Sequence, residues 1–402
     1  MSSEWTETTL GQFVRLQRGH DLTASEQKEG TVPIMGSAGQ NGTHDEALTK
    51  GPGVVIGRSG ASAGRVHFSA VDYWPHNTCL YVTDFLDNSP RYAYYLLQTL
   101  DLAAFNSGSA QPSLNRNYLY SIPITVPHRR EQDDIADVLK ALDDRITLLR
   151  ETNTLLEQIA QTIFKSWFVD FDPVRAKQEG RMPEGMDEEI AALFPDSFEE
   201  SELGMVPRGW LPSSIYEVCS VIYGAPFASK RFNSENIGKP LVRIRDLKGE
   251  KPGVFTDEVH PKGYLIQAGD IVVGMDGEFR AYLWGGVPSW LNQRVCVFEP
   301  KKGIAAAFVH RMIVPLLARV EETETATTVI HLGKNDIDQF KILVPNRDVL
   351  DAFSSVAIPL YDKIVTNKQT AGFLANLRDT LLPRLISGKL RLPEVNLENV
   401  LS

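Results

Sequence analysis

A chain of 402 residues with 43% hydrophobic content is too apolar to be disordered and long enough for two or three globular domains. Its net charge of -10 would argue against a nucleic-acid partner if it were evenly spread, but residues 128–206 alone hold 9 basic and 19 acidic residues. Residues 1–127 hold 8 and 11, residues 207–345 hold 17 and 15, and residues 346–402 hold 7 and 6, so the flanking regions are near neutral and a local basic, DNA-binding surface is permitted.

Residues 1–127 read as a first globular unit of short apolar runs separated by turn signals. Val54-Val55-Ile56, between Gly53 and Gly57, predicts a buried strand. The loop that follows, Arg58 to Arg65, consists of small residues with an arginine at each end. Tyr92, Tyr95, Leu96 and Leu100 are spaced for a helix across residues 91–104, and a polar loop spans Asn106 to Asn117. Glu131 to Phe171 then predicts one long helix of about 40 residues, on the order of 60 Å. Its residues Leu142, Ile146, Leu149, Asn153, Leu156, Ala160, Ile163 and Trp167 alternate steps of four and three, the a/d seam of a coiled coil. Asp172-Pro173 marks its end. Residues 172–206 form an acidic linker, read as largely extended apart from a short helix at Asp187–Leu193. A second globular unit covers 207–345, with a helix at Ala305–Arg319. The last segment, 346–402, carries a second long helix expected to end by Pro383, with a weaker seam containing Asn367 and Gly372.

The second half repeats the first. An offset of 218 carries Leu142 onto Leu360, Ile146 onto Ile364 and Leu156 onto Leu374. The same offset carries Val126-Pro127-x-Arg129 onto Val344-Pro345-x-Arg347, and Leu114-x-x-Asn117 onto Leu332-x-x-Asn335. Near the start of each unit Trp5 matches Trp210, Leu10 matches Ile215 and Gly19 matches Gly224. Gly57 and Gly60 match Gly274 and Gly277. A constant offset over more than fifty residues signals an internal repeat. The expected fold is α+β (α/β): two globular units, each followed by a long coiled-coil helix, related by an internal pseudo-twofold repeat.

No catalytic constellation stands out. The chain lacks GxxxxGK[ST], GxGxxG and HExxH, and its nearest approach to an Asn/Asp-Pro-Pro-Tyr/Phe motif is Phe171-Asp172-Pro173-Val174. Neither a metal site nor a cofactor site is expected. Cys79, Cys219 and Cys296 follow no ligand spacing and read as buried thiols of a reducing compartment. No apolar run approaches a membrane span and the N-terminus has no signal-peptide pattern, so a cytoplasmic location is expected. What remains are polar and cationic loops at matching places. Arg, Asn and Gln can read base edges, while Ser, Lys and backbone amides hold phosphates. The candidate DNA-binding residues are Arg58, Ser59, Ser62, Arg65, Gln111, Asn115 and Arg116 in the first unit. In the second they are Arg243, Arg245, Asp276, Glu278, Arg280, Gln293, Arg294 and Lys334. Any one of them alone is more readily an ordinary turn or surface ion-pair residue; the groups carry the expectation.

Four motifs bring a family into view: SWFVDFDPVRAKQEGRMPEGM, SELGMVPRGW, GMDGEFRAYLWGG with LNQRVCVFEP, and LRDTLLPRLISGKLRLP. Over essentially its whole length the chain resembles the specificity subunit of a type I restriction–modification system. The resemblance implies target-recognition domains at 1–127 and 207–345, and spacer helices at 128–171 and 346–402 around the linker. It implies a non-catalytic subunit that reads a bipartite double-stranded DNA site, one half per domain, with the two long coiled-coil helices packed antiparallel between the domains and acting as a ruler. It further implies two methylation subunits bringing S-adenosylmethionine and two translocase/nuclease subunits using ATP and Mg. The unlike loops GRSGASAG and GMDGEFRA predict an asymmetric target. Two other readings stand beside this one: a self-contained DNA methyltransferase or nuclease with divergent motifs, and a protein-only scaffold.

Overall fold

The computed structural model describes residues 5–105, 113–323 and 330–392. The chain divides into two compact units, Met1–Arg145 with Leu374–Ser402, and Ile146–Phe373. The long helices are Arg129–Phe168 and Arg347–Ile386, 40 residues each, and the offset of 218 holds at both ends. Each unit therefore takes part of each helix.

In the first unit a four-stranded antiparallel sheet has the order Arg15–Arg18, Cys79–Asp84, Gly53–Gly57, Val66–Ser69. Every residue of Gly53–Gly57 is buried, as a strand covered on both faces requires. A three-stranded sheet lies in the order Gly39–His44, Val32–Gly36, Trp74–Pro75. The helix Pro90–Thr99 begins with proline in its first turn, and the Ser89 hydroxyl accepts a hydrogen bond from Tyr92 N. Thr6–Thr9 pairs antiparallel with Pro123–Val126, closing the domain next to the start of the long helix. Within this unit the helices run antiparallel. Asp143 bonds Arg378 at 2.6 Å, and Glu131 bonds Arg391, just past the second helix, at 3.2 Å.

The second unit repeats the plan. Its four-stranded sheet has the order Cys219–Tyr223, Val295–Pro300, Ile271–Gly274, Ala281–Leu283, and Leu211–Ser214 pairs with Lys341–Val344. Leu10 N donates to Ile122 O at 2.9 Å, and Ile215 N donates to Phe340 O at 3.0 Å, one contact made twice. The units differ in the second sheet, which here has five short strands, and in the helix, which here is Ala306–Thr323.

The seam of the first helix is internal. Leu142, Ile146, Leu149, Asn153, Ala160 and Trp167 are buried, and Leu156 and Ile163 partly so. Asn153 meets Asn367 in the second unit, where Asn367 Nδ2 donates to Asn153 Oδ1 at 2.8 Å and Asn153 Nδ2 donates to Ile364 O at 3.1 Å. Toward Phe168 the seam becomes aromatic. Phe164, Trp167 and Phe168 pack around Phe353, with Phe168 5.0 Å from it between ring centroids, and Trp167 lies 5.2 Å from Phe194.

Several elements differ from the sequence expectation: the helix expected across 91–104 ends at Thr99 and the one expected at Ala305–Arg319 runs to Thr323. The first long helix stops at Phe168, and Phe171 adopts a left-handed conformation (φ 57°) before a new helix, Asp172–Gln178, with Pro173 in its first turn. A proline costs nothing there, because that N–H has no helical partner. The segment expected to be mostly extended also holds a hairpin, Phe198–Ser201 with Gly204–Pro207, and buries Phe194 and Val206. The second long helix passes Pro383 and ends at Ile386. Pro383 and Pro359 both lie on the exposed face, where water can satisfy the carbonyls they leave unbonded.

Candidate nucleic-acid interface

In the first unit the buried strand Gly53–Gly57 delivers Arg58 to the surface. Arg58 N donates to Thr78 O, and its carbonyl accepts from Leu114 N, both at 2.9 Å. Its guanidinium is half-buried: Nη1 donates to Ser113 Oγ at 3.3 Å and Nε to Asn77 O at 3.4 Å. Ser59 bridges to Ser113, and its N–H donates to Ser37 Oγ at 3.3 Å. Gly60, at φ 74°, turns the chain in a conformation that side chains disfavour, into a short turn ending at Ser62. Arg65 is exposed and its side chain makes no hydrogen bond or ion pair among the described residues, while its N–H donates to Ser62 O at 3.1 Å and its carbonyl accepts from Gly57 N at 2.7 Å. Close by, His67 contacts Ser37 O at 3.2 Å; burial lowers its pKa, and Arg65 adds to the effect.

Asn115 caps the short helix Arg116–Leu119 by accepting from Asn117 N at 3.0 Å. The Arg116 side chain folds back to donate to Leu16 O at 3.0 Å. Gln111 lies outside the described residues.

In the second unit Ile271–Gly274 leads to Met275, whose N–H donates to Arg294 O at 2.9 Å and whose carbonyl accepts from Leu332 N at 2.8 Å. Asp276 bridges to His331 through the backbone, and its carboxylate accepts from His331 Nδ1 at 2.7 Å and Arg294 Nη1 at 3.5 Å. Gly277 turns at φ 78°. Gln293 is exposed beside Arg294.

The other candidates are committed elsewhere. Arg280 is paired with Glu321 at 3.0 Å on the helix Ala306–Thr323 and approaches exposed Glu278 at 3.6 Å. Arg243 closes onto Asp246 at 3.2 Å inside a single turn, next to exposed Arg245. Lys334 pairs with Asp338 at 2.6 Å.

These bonds define one cradle built twice. Arg58 corresponds to Met275, Ser59 to Asp276, Gly60 to Gly277, Thr78 to Arg294 and Ser113 to His331, with matching backbone hydrogen bonds and bridges. Two glycines anchor it: a Cβ on Gly19 would sit 2.0 Å from His76 O, and one on Gly224 would sit 1.9 Å from Asn292 O. No substituted residue fits either place, so the strands approach as closely in both units.

The structure adds Ser37, Asn77, Thr78 and Ser113 to the first cradle and His331 to the second, none of which the sequence reading singled out. The signal was available. His76-Asn77-Thr78 follows Trp74, and Asn292-Gln293-Arg294 follows Trp290, so a shift of 216 aligns the two tripeptides. Among the described residues no group of three or more His, Cys, Asp and Glu could hold a metal ion, and no helix is long and apolar enough to cross a membrane.

A duplicated set of hydrogen-bonding side chains on a fixed backbone is the chemistry of a recognition protein with two reading heads. Residues 2–158 and 207–374 each match the type I restriction modification DNA specificity domain, and the chain belongs to that family. It is accordingly a specificity subunit of a type I restriction–modification system. The specificity subunit of type I restriction enzyme MjaIX of Methanocaldococcus jannaschii is 28% identical over 318 residues, covering 76% of this chain and 70% of the relative. That of HindI of Haemophilus influenzae is 26% identical over 332 residues, covering 69% and 71%. The crystal structure of a type I restriction–modification S subunit from M. genitalium shares the fold, with a TM-score of 0.62, 17% identity and coverage of 96% of both chains.

Proposed function

We propose that this chain reads an asymmetric, bipartite double-stranded DNA site, with residues 1–127 and 207–345 as target-recognition domains, and directs methylation and restriction subunits to it. The observation that carries the reading is the repeated cradle with unlike side chains. The same backbone bonds present Arg58, Ser59 and Ser113 in one unit and Asp276, Arg294 and His331 in the other. Unlike donors and acceptors on like frames select unlike base edges. Exposed Arg65 and Gln293 flank the cradles and suit phosphates, which set orientation without sequence preference.

The long helices serve as the ruler between half-sites and as the docking site for partners. Leu155 is 60% exposed and Phe373, its counterpart at an offset of 218, is 65% exposed. Large apolar residues left in water at equivalent positions suit two copies of one partner, supporting two methylation subunits. In the full enzyme those subunits bring S-adenosylmethionine, two translocase/nuclease subunits bring the ATP and Mg site, and the assembly works in the cytoplasm. The test is a methylome. This chain is co-expressed with its methylation subunit and N6-methyladenine is mapped by single-molecule sequencing. A two-part motif with an unspecified gap is expected, absent when either protein is omitted. Methylation by this chain alone, or a palindromic motif, would overturn the proposal.

A further inference from the structure

We infer that Arg58 and Arg294 are the guanine-reading side chains of the two recognition domains, carried on opposite rims of matching cradles, and that Asp276 positions Arg294. The inference rests on the DNA-reading function proposed above and assigns that reading to particular residues. At the rim formed by the buried strand, the first unit has Arg58 and the second has Met275, which is 5% exposed and presents no polar group. At the facing rim the first unit has Thr78 and the second has Arg294. Each cradle thus holds one arginine, and the position alternates.

Both arginines are tethered but keep donors: Arg58 donates through Nε and Nη1 and has Nη2 unbonded among the described residues, while Arg294 is tethered through Nη1 alone. Arg58 is held by the neutral acceptors Ser113 Oγ and Asn77 O. Arg294, with 55% of its side chain exposed, uses only Nη1, toward Asp276 Oδ1 and close to His331 Nδ1 (3.4 Å). Its Nε and Nη2 make no hydrogen bond among the described residues. The planar fork therefore keeps donors for the O6 and N7 acceptors of guanine, and a tethered arginine loses less freedom on binding than a free one. The carboxylate also separates base from backbone. Asp276, with 28% of its side chain exposed, would repel a phosphate brought to Arg294 but leaves an uncharged base edge unaffected. Free Arg65, with no such neighbour, suits a phosphate instead.

The experiment maps methylation motifs of Arg58→Ala, Arg294→Ala, Arg294→Lys and Asp276→Asn, each co-expressed with the methylation subunit beside the unaltered complex. Arg294→Ala is expected to lower discrimination at one G·C position of one half-site by ~10-fold or more, leaving the other half-site intact. Arg58→Ala should do the same in the opposite half-site. Asp276→Asn should weaken discrimination at the Arg294 position. Arg294→Lys keeps the charge and loses the fork, so it should stay relaxed there. This decides the matter if Arg294→Ala abolishes methylation altogether, because a phosphate contact would be restored by lysine. An Arg294→Ala motif identical to the unaltered one, or a lysine variant with the full motif, overturns the inference. Absence of any two-part motif from the unaltered complex would instead sink the functional proposal itself.

Discussion

Asn153 and Asn367 put an amide pair into an otherwise apolar seam, and removing one member should cost more than removing both. They are 7% and 2% exposed. Truncating Asn367 to alanine deletes the donor to Asn153 Oδ1 (2.8 Å) and leaves that oxygen buried without its partner. An orphaned buried polar atom costs about 1–3 kcal/mol. With about 2 kcal/mol as the central value, and about 2–4 °C per kcal/mol for folding units of 150–250 residues, the melting temperature should fall by about 4–8 °C. Asn153→Ala should cost a similar amount, since it strands Asn367 Nδ2. The double leucine variant removes both polar groups and fills the space, so it should lie within about 1 kcal/mol of the parent or above it. Chemical denaturation of the parent, both alanine variants and the double alanine variant would give the coupling energy, with the double leucine variant measured beside them. A single variant costing under about 0.5 kcal/mol, or a double alanine variant costing the sum of the singles, would refute the reasoning. In coiled coils such a pair favours one helix register at some expense of stability, so a stabilised double leucine variant would identify register as its role.

Lengthening both long helices by seven residues adds about 10 Å, or roughly 3 base pairs at about 3.4 Å each, so the gap between half-sites should widen by that order while both half-sites persist; methylome mapping that returns the original gap would refute the ruler. Leu155→Asp with Phe373→Asp should leave the unfolding free energy within about 0.5 kcal/mol of the parent, as exposed substitutions do, and weaken capture of the methylation subunit by at least ~10-fold in a pull-down titration; unchanged capture would remove these residues from the docking surface. Burial lowers the pKa of His310 to about 4, in a site where its Nδ1 accepts from Tyr361 OH (2.9 Å) and its Nε2 donates to Ala281 O (3.2 Å). The unfolded chain takes up this proton near pH 6.5 and the folded chain only near 4, so stability is retained above pH 6.5 and lost as pH falls toward 4. Between pH 7 and 5 the loss is about 2 kcal/mol, and His310→Asn should flatten the measured pH dependence by that amount; parallel curves would contradict it.

The features legible in the sequence are those written in local periodicity. The seam from Leu142 to Trp167 follows from steps of three and four, and the offset of 218 found the second long helix, although its ends, and those of the first, fall a few residues from where the sequence put them, at Arg129–Phe168 and Arg347–Ile386. The strand Gly53–Gly57 announced itself by three consecutive β-branched residues between glycines. The cradle was half legible. Arg58, Ser59, Asp276 and Arg294 sit at turns and look like readers, but Ser113 and His331 become their neighbours across 54 and 55 residues, through isolated bridges with no periodic trace. The linker was misjudged for a related reason. Its acidity and prolines describe its solvent face, while Phe194 and Val206 join the aromatic cluster around Phe168 through contacts that no local pattern encodes.

The division of labour within each cradle explains how one scaffold can serve two readings. The contacts that shape it are made by backbone atoms: Arg58 or Met275 N to the facing carbonyl, and Leu114 or Leu332 N to the carbonyl of that same residue. Glycine is demanded where Gly19 and Gly224 meet a neighbouring carbonyl, and where Gly60 and Gly277 turn at positive φ. None of these constraints involves the side chain at the Arg58, Ser59, Thr78 or Ser113 positions. Those side chains can therefore change without moving the frame, and between the two units all four have changed, to Met275, Asp276, Arg294 and His331. A frame that needed a particular side chain at these places could not be duplicated and given a new target. One that needs only glycines and backbone hydrogen bonds can.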